Sequence, residues 1–408
     1  MNISKLYLKP KKEESLLRFH PWVFSGAIAS VNGKPVEGDV VEVYSSDKRF
    51  LGIGHYQAGS IVTRILSFEQ VKIDRPFWIS KINAAYKLRL SLGLAGRTSN
   101  NAYRLIHGEG DHLPGLVVDI YAQTAVIQAH SAGMHHARKE IANVLREVMG
   151  DTSLRRIYYK SEGTLPFKAG LNEENEYLYG DEPRYGGDFR YDGDKESFTA
   201  TENGFTFYID WLKGQKTGFF IDQRENRSLL QQYAKGRAVL NMFCYSGGFS
   251  VYALRGGATL VHSVDSSAKA IALTNENVRL NFPDDMRHRS FDEDAFKFMD
   301  NIDNEYDLIV LDPPAFAKHK NVLRNALQGY RKLNAIAFKK IKPGGVIFTF
   351  SCSQTVDKND FRLAVFSAAA QSGRAVRILH QLTQPADHPI NIYHPEGEYL
   401  KGLVLQVE

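Results

Sequence analysis

Apolar positions along the chain change their spacing twice, and the changes mark out three units. Over residues 1–70 short segments alternate, as in Leu6-Tyr7-Leu8, Val40-Val41-Glu42-Val43-Tyr44 and Ser60-Ile61-Val62-Thr63-Arg64-Ile65, and Gly33, Gly38, Gly52, Gly54 and Gly59 break them. Alternation with glycine breaks predicts a small β-rich unit. Over 75–195 the period lengthens. Asp74-Arg75-Pro76 has the form of a cap followed by an early proline, and Trp78, Ile82, Ala85 and Tyr86 then recur at helical spacing. Two strands, Leu116–Tyr121 and Ala125–Ala129, precede a second helix with Ala137, Ile141, Val144, Leu145 and Val148 on one face. This middle unit reads as α+β. Its end, from Asn172 to Lys195, is rich in Glu, Asp, Gly and Tyr and is expected to be exposed loop and linker.

From residue 196 to 408 a third texture takes over. After a hairpin pivoting on Asn203-Gly204, the apolar runs Ala238–Phe243, Leu260–Val264, Tyr306–Leu311 and Gly345–Phe350 alternate with helical stretches, the signature of an α/β domain. Between the hairpin and the first run lies Lys216-Thr217-Gly218-Phe219-Phe220-Ile221-Asp222-Gln223-Arg224-Glu225-Asn226, which reads equally as the rim of a ligand site or as a capped helix start. Two of the buried strands end on chemistry: one runs into Asp312-Pro313-Pro314, the other into Ser351-Cys352-Ser353. In an open α/β sheet such ends face the ligand crevice, so a carboxylate and a thiol are expected side by side at its carboxyl edge.

The first α/β strand passes into Cys244-Tyr245-Ser246-Gly247-Gly248, where glycine lets the backbone approach a ligand, and the next ends on Asp265, eighteen residues after Gly247. An acid at that distance suits ribose hydroxyls. The three-glycine pattern that seats a pyrophosphate is missing, which disfavours a dinucleotide. Asp294 in Phe291-Asp292-Glu293-Asp294-Ala295 supplies a carboxylate for an adenine amino group. Adenosine and ribose without phosphate point to S-adenosylmethionine. The candidate contacts are Phe243, Tyr245, Ser246 and Gly247 at the turn, Asp265 with Ser266, Asp294 with Ala295, and Asp312 with Pro313. Taken singly, each acid reads as a helix cap; their order along the chain carries the assignment.

Composition narrows the class. With 408 residues, 43% apolar and 24% charged, the chain is a multidomain globular protein, and no apolar run reaches the length of a membrane span. The amino terminus, Met1-Asn2-Ile3-Ser4-Lys5, is not a signal-type block, so a cytoplasmic location is expected. The two cysteines, Cys244 and Cys352, form no zinc or disulfide pattern, and no metal site is expected. A net charge of +5 fits a polyanionic partner without requiring one. Lys9, Lys11, Lys12, Arg18 and His20 surround Trp22 near the amino terminus, a mixture suited to phosphates and bases. The plainer alternative is a solvated basic edge with a buried tryptophan. Here H-P-W-V-F-S-G, E-G-D-V-V-E-V and F-L-G-I-G resemble a PUA domain, a small RNA-binding barrel.

Carbon-5 of a pyrimidine becomes nucleophilic only after addition at carbon-6, and a thiolate performs that addition. Cys352 at a crevice edge suits the role, with a helix from about Val356 expected to lower its pKa and Asp312 expected to orient the base. Cys244, in the cofactor turn, reads as packing. The segments V-L-N-M-F-C-Y-S-G-G-F-S, D-L-I-V-L-D-P-P-A-F, F-T-F-S-C-S, A-D-H-P and P-E-G-E-Y-L-K-G resemble the bacterial large-subunit ribosomal RNA cytosine-5 methyltransferase family with an N-terminal PUA domain. That resemblance implies a PUA barrel, a small central α+β domain and a Rossmann-like seven-stranded, mostly parallel methyltransferase sheet. It also implies large-subunit rRNA as substrate, Cys352 as nucleophile, and the segment Lys216 to Arg224, with Thr217, Phe220 and Arg224, helping to close the cofactor site. Relatives with a second thiol carry it just after D-P-P; here that place is Ala315, and Phe316 beyond it is a candidate RNA contact. The displaced aromatic disfavours exocyclic-amino methylation, and Cys352 separates the chain from relatives that methylate a guanine ring. Intact acids at 265, 294 and 312 speak against a non-catalytic assembly factor. A homodimer is compatible with the resemblance, although no heptad or exposed stripe marks an interface.

Overall fold

The computed structural model describes residues 3–150, 153–166, 170–171, 174–181, 198–316 and 322–408. Three sheets follow one another along the chain. The first comprises β1 (Ser4–Leu8), β2 (Trp22–Phe24), β3 (Ile28–Asn32), β4 (Val40–Tyr44), β5 (Phe50–Tyr56) and β6 (Ile61–Ser67), with α1 (Glu14–Leu17) between its first two strands. Its order is β2-β6-β5-β4-β1-β3, and β1 runs parallel to β4. Leu6, Leu8, Val23, Val41, Val43 and Ile65 fill its small core, as the alternation predicts.

In the middle unit, α2 (Arg75–Ser91) is capped by Asp74, whose Oδ1 accepts from Phe77 N at 3.3 Å, and Pro76 sits in its first turn where no N–H partner is missed. There follow β7 (Ala102–His107), β8 (Leu116–Tyr121), β9 (Thr124–Ala129), α3 (Ala132–Met149), β10 (Arg156–Tyr159) and β11 (Glu176–Tyr179). They form a five-stranded sheet in the order β11-β10-β9-β8-β7. The last strand corrects the expectation of a linker from 172 to 195. The Tyr177 ring lies 4.8 Å from that of Tyr158, Trp211 Nε1 donates to its hydroxyl at 3.1 Å, and Leu178 and Tyr179 pack on the core, so aromatic burial outweighs the acidic composition. Residues 172–173 and 182–195 of that stretch lie outside the described residues.

The third unit begins with the hairpin β12 (Thr199–Glu202) and β13 (Phe205–Tyr208), then α4 (Arg224–Tyr233). Its sheet is made by β14 (Ala238–Met242), β15 (Leu260–Asp265), β16 (His288–Asp292), β17 (Leu308–Leu311), β18 (Gly345–Ser351), β19 (Val376–Leu382) and β20 (Lys401–Val407). Helices α5 (Gly248–Arg255), α6 (Ala268–Asn281), α7 (Ala295–Asn301), α8 (Leu323–Lys340) and α9 (Lys358–Ser372) connect them. The order β16-β15-β14-β17-β18-β20-β19 has its first five strands parallel, with β20 antiparallel to both neighbours. Successive residues feed opposite cores: Val239, Leu308 and Val310 one, Leu240, Ile309 and Leu311 the other. The chain leaves β14 toward β15 and returns on the other side at β17, so a crevice opens at the carboxyl ends of β14 and β17.

Hydrogen bonds to Asp387, in the midst of buried ion pairs, join the second and third units. Asp387 accepts from Arg224 Nη1 and Nη2 at 3.0 and 2.9 Å and from the Arg104 amide at 3.0 Å, while its carbonyl takes Arg89 Nη2 at 2.7 Å. Arg89 also pairs with Asp111, and Arg104 with Asp119. Among the described residues no helix is long and apolar enough to cross a membrane.

Candidate active site

The strand-to-helix turn after β14 holds Phe243 at φ 57°, Tyr245 at φ 46° and Gly247 at φ 75°. Side chains are costly in that left-handed region, and such strain collects where a ligand is bound. A Cβ on Gly247 would also meet Thr274 Cγ2 at 2.7 Å, so the position admits only glycine. The turn is fixed from the next strand: Asp265 Oδ2 accepts from Tyr245 N at 3.1 Å and Oδ1 from Ser267 N at 3.0 Å. Tyr245 in turn reaches the preceding segment, its hydroxyl accepting from Gln215 N at 3.0 Å and its ring standing edge-on to Phe220 at 5.1 Å.

These groups enclose a cavity of about 510 Å³, with Phe220, Phe243, Tyr245, Ser246, Asp265, Ser266, Asp312, Pro313 and Cys352 in its walls. Aromatic rings from Phe220, Phe243 and Tyr245, a carboxylate at each of two strand ends and no phosphate cradle fit an adenosyl ligand with a ribose. Other expected contacts stand elsewhere. Thr217 is buried behind the wall, donating to Asp119 Oδ2 at 2.6 Å and sharing a hydrogen bond with the Tyr121 hydroxyl. Arg224 is held by Asp387. Asp294 is exposed and caps α7, its Oδ1 accepting from Phe296 N and Lys297 N, and Ala295 is buried in a core; neither is among the cavity's lining residues.

Asp312 and Cys352 end neighbouring strands, as their paired registers require. Asp312 Oδ2 accepts from Gln223 Nε2 at 3.0 Å. Burial, with Asp222 adding to it, pushes the Asp312 carboxyl up to about 7, against the opposing pull of Gln223 and Lys216. Burial likewise raises the Cys352 thiol above its ordinary value, with Lys216 pulling it down and Asp312 and Asp222 pushing it up. This corrects the expected helix effect: α9 begins only at Lys358, and its first turn is capped by Asp357, which accepts from Asp360 N at 2.8 Å. Lys216, the cation acting on both groups, lies 3.3 Å from Asp222 Oδ2 and 4.6 Å above the Phe220 ring. Cys244 is buried, shares a 3.4 Å contact with Thr274 Oγ1, and its thiol is pushed up to about 12 by burial.

Cys352 has a second environment. A groove of about 1130 Å³ runs from Trp22 and Arg64 of the first sheet, past Gln128 and His130 of the second, to Lys216, Cys352 and Ser353 of the third. Cys352 and Lys216 line both hollows. Of the expected RNA contacts, Trp22 lies in this groove, its Nε1 donating to Glu109 Oε1 at 2.8 Å. Lys9, Lys11 and Lys12 are exposed, Lys9 donating to Gly26 O at 3.0 Å. Arg18 pairs with Glu14. Phe316 is corrected to packing: its ring lies 4.8 Å from that of Tyr330, against the core. His20 faces Glu396 at 3.4 Å, beside His394, with the three ligand atoms within 4.8 Å of one another. His20 Nδ1 accepts from Trp22 N at 3.2 Å, which leaves the proton on Nε2 toward Glu396 and describes a hydrogen-bonded pair, not a metal ligand.

Lys216, Asp222 and Gln223 stand in the segment that the resemblance expects to help close the cofactor site, although none is assigned a role singly, and Lys401 is drawn in by folding alone. Its Nζ, buried on β20, donates to Ser353 O and to Tyr399 O at 2.7 Å.

Residues 182–397 match the model of the S-adenosylmethionine-dependent methyltransferase family, and residues 6–68 that of a PUA-like domain. The chain is 39% identical over 409 residues to a protein of Aeromonas hydrophila named ribosomal RNA large subunit methyltransferase I, covering 99% of each, and 38% identical to the Shewanella amazonensis protein of that name, again covering 99% of each. Its fold is similar to the crystal structure of SMU.776, a methyltransferase complexed with SAH, at TM-score 0.82 and 25% identity over 100% of both chains. The chain therefore belongs to the S-adenosylmethionine-dependent methyltransferase family, takes S-adenosylmethionine as its cofactor, and groups over its full length with proteins named ribosomal RNA large subunit methyltransferase I.

Proposed function

We propose that this protein methylates carbon-5 of a cytosine in large-subunit ribosomal RNA through a covalent adduct with Cys352. The carrying observation is that Cys352 lines both the adenosyl-shaped cavity and the groove that crosses all three units. The names of its relatives support ribosomal RNA as the acceptor. The division of labour follows residues 1–70 for RNA, 75–195 as central domain and 196–408 for methyl transfer, in the cytoplasm.

S-adenosylmethionine supplies an electrophilic methyl group. The Cys352 thiolate adds to carbon-6, and the electron pair released toward carbon-5 takes that methyl. Asp312, with its proton retained to about pH 7, donates to ring nitrogen N3 as the adduct forms. Lys216 faces both groups and stabilises the thiolate. Loss of the carbon-5 proton to a base then breaks the carbon-6 to sulfur bond and returns the thiolate, while N3 gives its proton back to Asp312. The only other cysteine, Cys244, is buried at the cofactor turn with its thiol pushed up to about 12, so one sulfur serves both addition and release. Within the cofactor site we assign Asp265 to the ribose and Phe220, Phe243, Tyr245, Ser246, Ser266 and Pro313 to the cavity walls. The packing of Phe316 on Tyr330 removes the aromatic clamp an exocyclic-amino methyltransferase would need.

Bisulfite sequencing of ribosomal RNA from cells with and without the gene tests the reading. One cytosine that is protected only when the gene is present is the expected result; identical profiles would overturn it.

A further inference from the structure

The groove wall opposite Cys352 is built by the central sheet, to which sequence and comparisons give no task. Strand β9 alternates: Ile127 and Ala129 point into the central core, so Gln128 and the following His130 face the other way, into the groove. Gln128 is 8% exposed, yet its carboxamide makes no hydrogen bond to any described residue. Its amide atoms are not among those shut off from solvent without a partner, so the carboxamide reaches the hollow with its donor and acceptor open to a ligand. His130 opens onto the same hollow, its backbone N–H held by Gly115 O at 2.8 Å while its ring bonds to no described residue. Its place in the groove, with Arg104 and Arg64 nearby, keeps its pKa below the ordinary 6.5, so at neutral pH the ring offers one donor and one acceptor. Apolar Val117, the register partner of Gln128, lines the same wall and gives it a surface that suits a planar ring.

We propose that Gln128 and His130 read the edge of an unpaired RNA base next to the methylated nucleotide, making the central domain the specificity element. Carboxamides and neutral imidazoles suit base edges, and RNA is read by sequence where its bases are unstacked. A phosphate would be met by Arg64 on the first sheet, whose Nη1 has no partner among the described residues, whereas on the central wall Arg104 is committed to Asp119 through hydrogen bonds of 2.7 and 2.8 Å and leaves Gln128 and His130 to a neutral base edge. The inference rests on the RNA methyltransferase reading above.

The test uses the full chain with naked large-subunit ribosomal RNA from cells lacking the gene. Gln128→Leu and His130→Phe are compared with the wild type for kcat/KM, for the methylated positions, and for S-adenosylmethionine affinity by calorimetry. Each variant is expected to lose about 10- to 100-fold in kcat/KM at the target and to lose preference for it over other cytosines, with cofactor affinity unchanged. Wild-type rates and positions in both variants would overturn the proposal. Should Gln128→Leu lose cofactor binding through misfolding, His130→Phe, at an exposed position, decides alone. If the wild type methylates a base other than cytosine, the cytosine-5 reading fails while the contrast between wild type and variants still judges this one.

Discussion

Gln223 Nε2 donates to Asp312 Oδ2 at 3.0 Å, a neutral amide satisfying a carboxyl that burial has pushed up to about 7. A charged donor there would have ionised the acid. The amide leaves it proton-bearing near neutrality, beside a thiol whose pKa burial has also raised.

The two groups give kcat/KM a distinctive pH dependence, because the proposed reaction needs Asp312 protonated and Cys352 ionised. Below pH 7 the thiolate fraction rises about tenfold per pH unit and Asp312 keeps its proton, so the rate climbs. Above pH 7 further ionisation of the thiol is offset by loss of the Asp312 proton, and the profile flattens. In Asp312→Asn the offset vanishes: the residual rate, lower by roughly 10²–10⁴, should keep climbing past pH 8. A wild-type profile that also climbs there would remove Asp312 from the proton inventory.

Stability has its own carboxylate. Burial alone would raise the pKa of Asp387, but His388 and Arg224 outweigh it and hold the carboxyl well below its ordinary 3.8. Its stabilisation is therefore complete above that ordinary value and is lost as the pH falls below it. Asp387→Ala strands a buried guanidinium and should cost roughly 3–5 kcal/mol in denaturant unfolding at pH 7. The gap between variant and wild type should narrow in acid. A cost that stays constant with pH would show that packing, and not the ion pair, dominates.

Exposed Lys11 and Lys12 are expected to hold phosphates. Replacing both by Ala should weaken RNA binding and reduce the slope of log K against log salt by about 1–2, with S-adenosylmethionine affinity unchanged. Filter binding across a salt series measures this, and an unchanged slope would return the lysines to the plainer reading of a solvated edge.

What could be read before folding was what each strand carries within itself. Asp312 and Cys352 end runs apolar enough to be buried strands, and the parallel α/β rule brings such ends together. Gly247 and Asp265 were legible for the same reason. The remainder depends on partners far apart in sequence. Asp387 lies 163 positions from Arg224, so nothing near either foretold their pairing. Gln128 resembled any polar residue on a strand until three units closed a groove over it. The acids around β11 hid the aromatic contacts that order it, and the thiol shift was misjudged because burial, a property of the whole fold, exceeds the pull of a nearby helix.

The central claim is a bond between Cys352 and carbon-6 of a cytosine, and fluorine at carbon-5 makes that bond permanent by removing the departing proton. Wild-type protein, S-adenosylmethionine and large-subunit ribosomal RNA carrying 5-fluorocytosine should yield a stable protein–RNA adduct, and mass spectrometry of the digested complex should place the nucleotide on the Cys352 peptide. Cys244→Ala should form it and Cys352→Ala should not. Methylation of the normal RNA with no adduct on the fluorinated RNA, or an adduct on any other residue, would contradict the account.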